Sequence, residues 1–286
     1  MTNFQLAIGF LLTFCMVLRP ILYKPAAQFF KINLSVLFTS VWLLIGLVIT
    51  FPILGHLFTD RAEEVLTSPY LLLSVIKGVS LWLLVKLQQS INKESTSSST
   101  FYLFTAMALA SLLNNMFFHE GLKVFQLVCV LGFGVLGCVF FIYGDAKRLS
   151  RKNKIAFILA TFICALFGVE DHLAIPRIGW YPHLLVSSIF MFLMCFFDKI
   201  SKQDIISVFK NKILVKAGVF YTVSEFLIIY ASTNILPVSF VALFMRLATP
   251  IVMIISAIKY KEQTLKNQLV FGIISLMLAL PLILIK

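Results

Sequence analysis

Apolar residues fill most of the chain in long runs, and charged residues gather between those runs. A run of about 20 apolar residues matches a helix that crosses a bilayer at 1.5 Å rise per residue. The pattern predicts ten such helices, over residues 4–28, 32–55, 70–89, 99–118, 124–143, 154–177, 182–198, 212–232, 237–258 and 267–285. The first and sixth are the least regular. Pro20 and Pro25 interrupt one, and Gly168, Glu170 and Asp171 the other, so each is either a straight span that ends early or a longer, kinked one. Interrupted helices at corresponding positions of two halves point to a transport site.

Composition agrees with a lipid environment. Of 286 residues, 60% are hydrophobic and 13% charged, and the mean hydropathy is +0.99. A water-soluble domain of this size has no interior large enough for so much apolar surface. Ten spans consume roughly 200 residues, which leaves short connections and one membrane domain. A net charge of +12 raises the question of nucleic acid, but the cations sit beside spans and form no basic face, so no nucleic-acid partner is expected. The five cysteines lie inside apolar runs without metal-ligand spacing, so they read as small buried hydrophobes. No metal or cofactor motif is present. The first apolar run lacks a basic leader and a small-residue cleavage site, and reads as a span.

Loop charge sets an orientation. The odd-numbered connections hold sixteen basic residues, among them Lys24, Lys93, Lys147, Arg148, Lys210 and Lys259; the even ones and the termini hold four, Arg61, Lys123, Arg177 and Lys286. By the positive-inside rule the odd loops are cytoplasmic and both termini external. The expected location is a multi-pass position in a cell membrane, the bacterial inner membrane.

The two halves echo one another. Glu120–Val128 (EGLKVFQLV) and Glu262–Val270 (EQTLKNQLV) share glutamate, glutamine and Leu-Val at the same spacing, each after one span and opening another. Thr13–Leu18 (TFCMVL) and Thr161–Leu166 (TFICAL) add a fainter echo. With five spans on each side of a basic central loop, residues 1–143 and 154–286 read as a duplication. Because five is odd, the second copy enters the membrane inverted.

These residues resemble the drug/metabolite transporter superfamily, and within it the EamA-type ten-helix members. The resemblance rests on Glu120–Gln126 followed by Gly132, Gly134 and Gly137, on Glu262, Thr264, Gln268 and Gly272, on Pro250 in the ninth span, and on Leu166–His172 (LFGVEDH). The first half departs from the family pattern at Pro20 and Ala108. The resemblance implies a substrate cavity lined by spans one, three, four, six, eight and nine, with the fifth and tenth peripheral. Many such relatives are described with cytoplasmic termini, opposite to the reading from loop charge.

Charge away from the span ends is confined to that set: Arg19, Lys77, Glu170, Asp171, Glu225 and Arg246. A central charge costs roughly 2.5–3.5 kcal/mol on insertion scales, so these side chains need partners or water. Glu225 and Arg246 lie at depths that differ by about 3 Å on neighbouring antiparallel spans. They either bridge each other, or Arg246 holds a substrate carboxylate or phosphate while Glu225 neutralises it in the empty site. Lys77 either snorkels or adds positive potential to a cavity. Arg19 either marks the cytoplasmic end of the first span or joins the site. Glu170 and Asp171 are an external loop if the sixth span stops early, and proton-coupling candidates with Glu225 if it continues. Asn114, Asn115, Tyr221 and Ser224 either line the path or bond between helices.

The chain therefore reads as an all-α, five-plus-five inverted-repeat transporter of a small polar metabolite: an amino acid, a nucleotide-related compound or an organic anion. Substrate-binding candidates are Arg246, Glu225, Lys77, Arg19, Tyr221 and Asn114. The alternative is a lipid-headgroup flippase of the same architecture. An enzyme is not expected, since His119-Glu120 lacks the second histidine of a zinc site. The expected partners are the substrate and the lipid bilayer, and a second copy of the chain remains open.

Overall fold

The computed structural model describes residues 2–118, 124–235, 238–262 and 265–284. His119, Glu120, Lys123, Thr264 and Lys286 lie outside the described residues, as do the side chains of Asn114, Gln126 and Arg246. The described chain is helical, without a strand. Ten long helices correspond to the ten segments read from the sequence: α1 (Asn3–Phe29), α2 (Ile32–Leu54), α3 (Leu71–Glu94), α4 (Ser98–Phe118), α5 (Val124–Tyr143), α6 (Arg151–Ile178), α7 (Trp180–Met194), α8 (Lys212–Asn234), α9 (Val238–Lys259) and α10 (Leu265–Leu284). Among the described residues seven of them are long and apolar enough to cross a membrane; α5, α9 and α10 carry shorter apolar stretches. Large side chains such as Phe10, Val48, Phe162 and Met277 are exposed on the outside of the bundle. In water that surface would aggregate, whereas acyl chains solvate it, and the chain is a multi-pass membrane protein.

Both irregular segments form continuous helices. In α1, Pro25 has no N–H and frees the Ile21 carbonyl. The Tyr260 hydroxyl donates to that carbonyl at 3.3 Å. Helix α6 runs 28 residues through Glu170 and Asp171, so these two acids are helical and not in a loop. The second connection contains two short helices, His56–Thr59 and Ala62–Thr67. A further short helix, Lys202–Lys210, is capped by Ser201 and Asp204. It exposes Ile205, Ile206 and Phe209 beside lysines, the pattern of a helix lying in the membrane interface.

Most of the main contacts run between the halves. Helix α1 packs on α8 and α9, and α6 on α3 and α4; α2 packs on α8, and α7 on α3; α4 pairs with α5, and α9 with α10. Each contact in this list has a counterpart five helices along the chain. The closest approaches use glycine. A side chain at Gly218 of α8 would run into Trp42 of α2, and one at Gly78 of α3 into the Ser187 carbonyl and Met191 N–H of α7. A tryptophan ring can turn aside, but a helix backbone cannot. Gly78→Ala is expected to cost about 1–3 kcal/mol by overpacking, seen as a lower unfolding temperature in detergent; an unchanged temperature would mean that α3 and α7 can separate freely.

Candidate functional site

Three polar clusters lie where the halves meet. The first is built on α1 and α8. Arg19 and Tyr23 stand four residues apart on α1, and Tyr221 and Glu225 four apart on α8, so each pair shares a helix face. Arg19 Nη1 donates to Glu225 Oε1 at 2.7 Å, with side-chain exposures of only 12% and 18%. The Arg19 guanidinium carbon lies 4.3 Å from the centre of the Tyr221 ring, within cation–π range, and the Tyr23 and Tyr221 rings stack at 6.3 Å. Both phenols lie in the electrostatic field of Arg19 and Glu225. The Tyr23 and Tyr221 hydroxyls lie close to the Arg19 guanidinium, but neither they nor Arg19 Nε make a hydrogen bond of good geometry in this buried site. Buried polar groups are normally satisfied, so the two phenols and Arg19 Nε have hydrogen-bonding capacity left for a ligand or water.

The second cluster joins α3, α6 and α7. Lys77 Nζ forms an ion pair with Asp171 Oδ1. His183 Nε2 lies 2.9 Å from the same oxygen, and Ser74 Oγ lies 2.6 Å from His183 Nδ1. His183 and Ser74 are fully buried. Gly179 makes this possible: it is the single residue between α6 and α7, at φ +84°, a conformation open to glycine. The tight reversal folds α7 back along α6 and sets His183 beside Asp171. Glu170, next along α6, has one buried carboxylate oxygen without a partner.

The third cluster closes the end of the bundle rich in lysine. Glu262, in the connection between α9 and α10, pairs with Lys24 of α1 at 2.9 Å. Its carboxylate accepts the Thr96 N–H at 2.8 Å and the Ser97 N–H at 3.2 Å, at the start of α4. Unpaired N–H groups and the helix dipole favour an anion there. Alongside, Asp145 accepts the hydroxyls of Ser95 and Ser97. Burial pushes its carboxyl up from the usual range, and the two hydroxyls oppose that shift.

Of the candidate residues, the structure thus brings Arg19, Tyr221 and Glu225 together, and separately Lys77 with Asp171 and Glu170. Arg246 is on α9 and Asn114 on α4, with side chains outside the described residues. Ser224 is buried and donates to the Tyr221 carbonyl at 2.8 Å, a local helix bond. Tyr23, Ser74 and His183 escaped the sequence reading. Tyr23 was accessible from its spacing to Arg19. His183 was hidden because a count of acids, lysines and arginines passes over it.

A groove of about 710 Å³ runs between α4, α5 and α6, lined by residues such as Ala108, Leu112, Val130, Gly134 and Phe157. Among the described residues, none of the charged candidates lines it. Against known proteins, the chain matches no family model and no curated protein.

Proposed function

We propose that this chain is a ten-helix, five-plus-five inverted-repeat carrier that moves a small polar metabolite by alternating access. The substrate is a zwitterion or organic anion, such as an amino acid or a nucleotide-related compound. The observation that carries this reading is the buried Arg19–Glu225 pair, with the Tyr23 and Tyr221 hydroxyls and Arg19 Nε poorly bonded beside it. A purely structural buried ion pair persists only when further hydrogen bonds complete it. Here the missing bonds match a carboxylate or phosphate accepting from Arg19 Nε, Tyr23 and Tyr221. Glu225 would neutralise Arg19 in the empty site and receive an ammonium in the filled one.

The packing supports the repeat, because the contacts between halves recur five helices along. Alternating access requires such an interface, with one half rocking against the other. The likeness to the drug/metabolite transporters and the loop charge, which sets the odd connections in the cytoplasm of a bacterial cell, belong to the same proposal. A hydrolase reading of Ser74, His183 and Asp171 is weaker. Ser74 is fully buried, and Asp171 is engaged by Lys77, which leaves a substrate carbonyl no approach to the hydroxyl.

The test is reconstitution in liposomes with radiolabelled alanine, glutamate, malate and uridine monophosphate. Saturable uptake of at least one is expected. The groove between α4, α5 and α6 favours a second reading, lipid translocation, though it brings no charge for a headgroup. Movement of a labelled phospholipid without metabolite uptake would replace the carrier reading by that one.

A further inference from the structure

We propose that the carrier is driven by protons, which bind at His183 and release Lys77 from Asp171, so that its positive charge adds to the potential that draws the substrate anion to Arg19. This rests on the carrier reading and names its coupling ion. Asp171 Oδ1 is shared by two donors, the Lys77 ammonium and the His183 Nε2–H. With Ser74 donating to Nδ1, His183 is the neutral tautomer, assigned from the hydrogen-bond pattern. A proton arriving at Nδ1 needs no heavy atom to move: the Ser74 hydroxyl turns from donor to acceptor, and the ring becomes a double donor. Asp171 then faces two cations, and one carboxylate neutralises one of them. The imidazolium is fixed in place, whereas the lysine stem is flexible, so Lys77 is the cation set free.

Access and surroundings fit that role. The Asp171 side chain is 35% exposed while Lys77 is 7% and His183 0%, so the cluster meets its surroundings at Asp171. The groups facing His183 are Ser74 and Lys77 from α3, and Asp171 with Glu170 beside it from α6. Helix α2, on the other side of α7, has no ionisable residue. Helix α8 brings Tyr230 against Trp180 at the start of α7, and the short helix next to α7 carries His56, which is exposed and bonded to the Ile53 carbonyl. His183 is therefore the buried imidazole set between a carboxylate and a hydroxyl. The cycle balances: one proton from outside binds with the anion, and on the inner side the anion leaves, the proton follows, and Lys77 returns to Asp171.

Two measurements test this. In liposomes at internal pH 7.5, uptake of the compound in the panel above that accumulates most is compared with external pH at 7.5 and 5.5. An acid exterior is expected to raise accumulation, at most about 100-fold for one proton per substrate, since one pH unit is tenfold in proton activity. His183→Gln keeps a donor for Asp171 but cannot titrate, and its ratio of acid to neutral accumulation is expected to fall to one. Wild-type uptake indifferent to the gradient, or a gradient response retained in His183→Gln, overturns the coupling and leaves the carrier standing; no uptake of any compound, and no phospholipid movement, overturns both. The second measurement needs no transport. Potentiometric titration of the two purified proteins in detergent is expected to show one fewer proton bound by His183→Gln between pH 8.5 and 4.5, and superimposed curves overturn the assignment.

Discussion

Arg19→Ala is expected to abolish measurable uptake and to destabilise the protein at once. Glu225 would be left at 18% exposure with no cation, and breaking a buried pair by removing one partner costs about 3–5 kcal/mol. A drop of that size alone does not separate binding from folding. The double replacement Arg19→Leu with Glu225→Leu does so, because replacing both charges by apolar groups of similar volume is often neutral or stabilising. The double variant is expected to recover most of the unfolding temperature in detergent and none of the uptake. Recovered transport would make the pair a structural strut and remove the central support for the carrier reading.

The second large effect is expected at Glu262, in the connection between α9 and α10 at one end of the bundle. Glu262→Ala would leave Lys24 nearly fully buried without its anion and strip the acceptor from two N–H groups at the start of α4. The expected loss is again about 3–5 kcal/mol, read from thermal unfolding in detergent. Glu262→Gln keeps an acceptor for the N–H groups and loses the charge, so it should fall between wild type and alanine. If alanine and glutamine behave alike, the ion pair with Lys24 is the whole effect; if neither differs from wild type, the junction of α1, α4 and the α9–α10 connection contributes nothing to stability.

How far the site was legible depended on the range of each signal. Arg19 with Tyr23, and Tyr221 with Glu225, are pairs at helical spacing and could be read locally. That α1 lies against α8, so that Arg19 reaches Glu225, depends on how the halves pack. Depth on the adjacent antiparallel helix suggested Arg246 as a partner for Glu225, and its side chain lies outside the described residues. Lys77 shows the same limit. Its carboxylate is 94 residues away on α6, beyond any local spacing argument.

The chain's own residues determined the positions of the helices, because a bilayer demands apolar runs of one length and every backbone N–H and C=O in lipid must be satisfied within the helix. They also settled which helices carry charge. Tertiary structure decided the rest: that α6 continues through Glu170 and Asp171, that Gly179 reverses the chain tightly enough to set His183 on Asp171, and that Tyr260 meets the carbonyl freed by Pro25. Those outcomes depend on atoms far apart along the chain meeting within about 3 Å, which composition and periodicity do not encode.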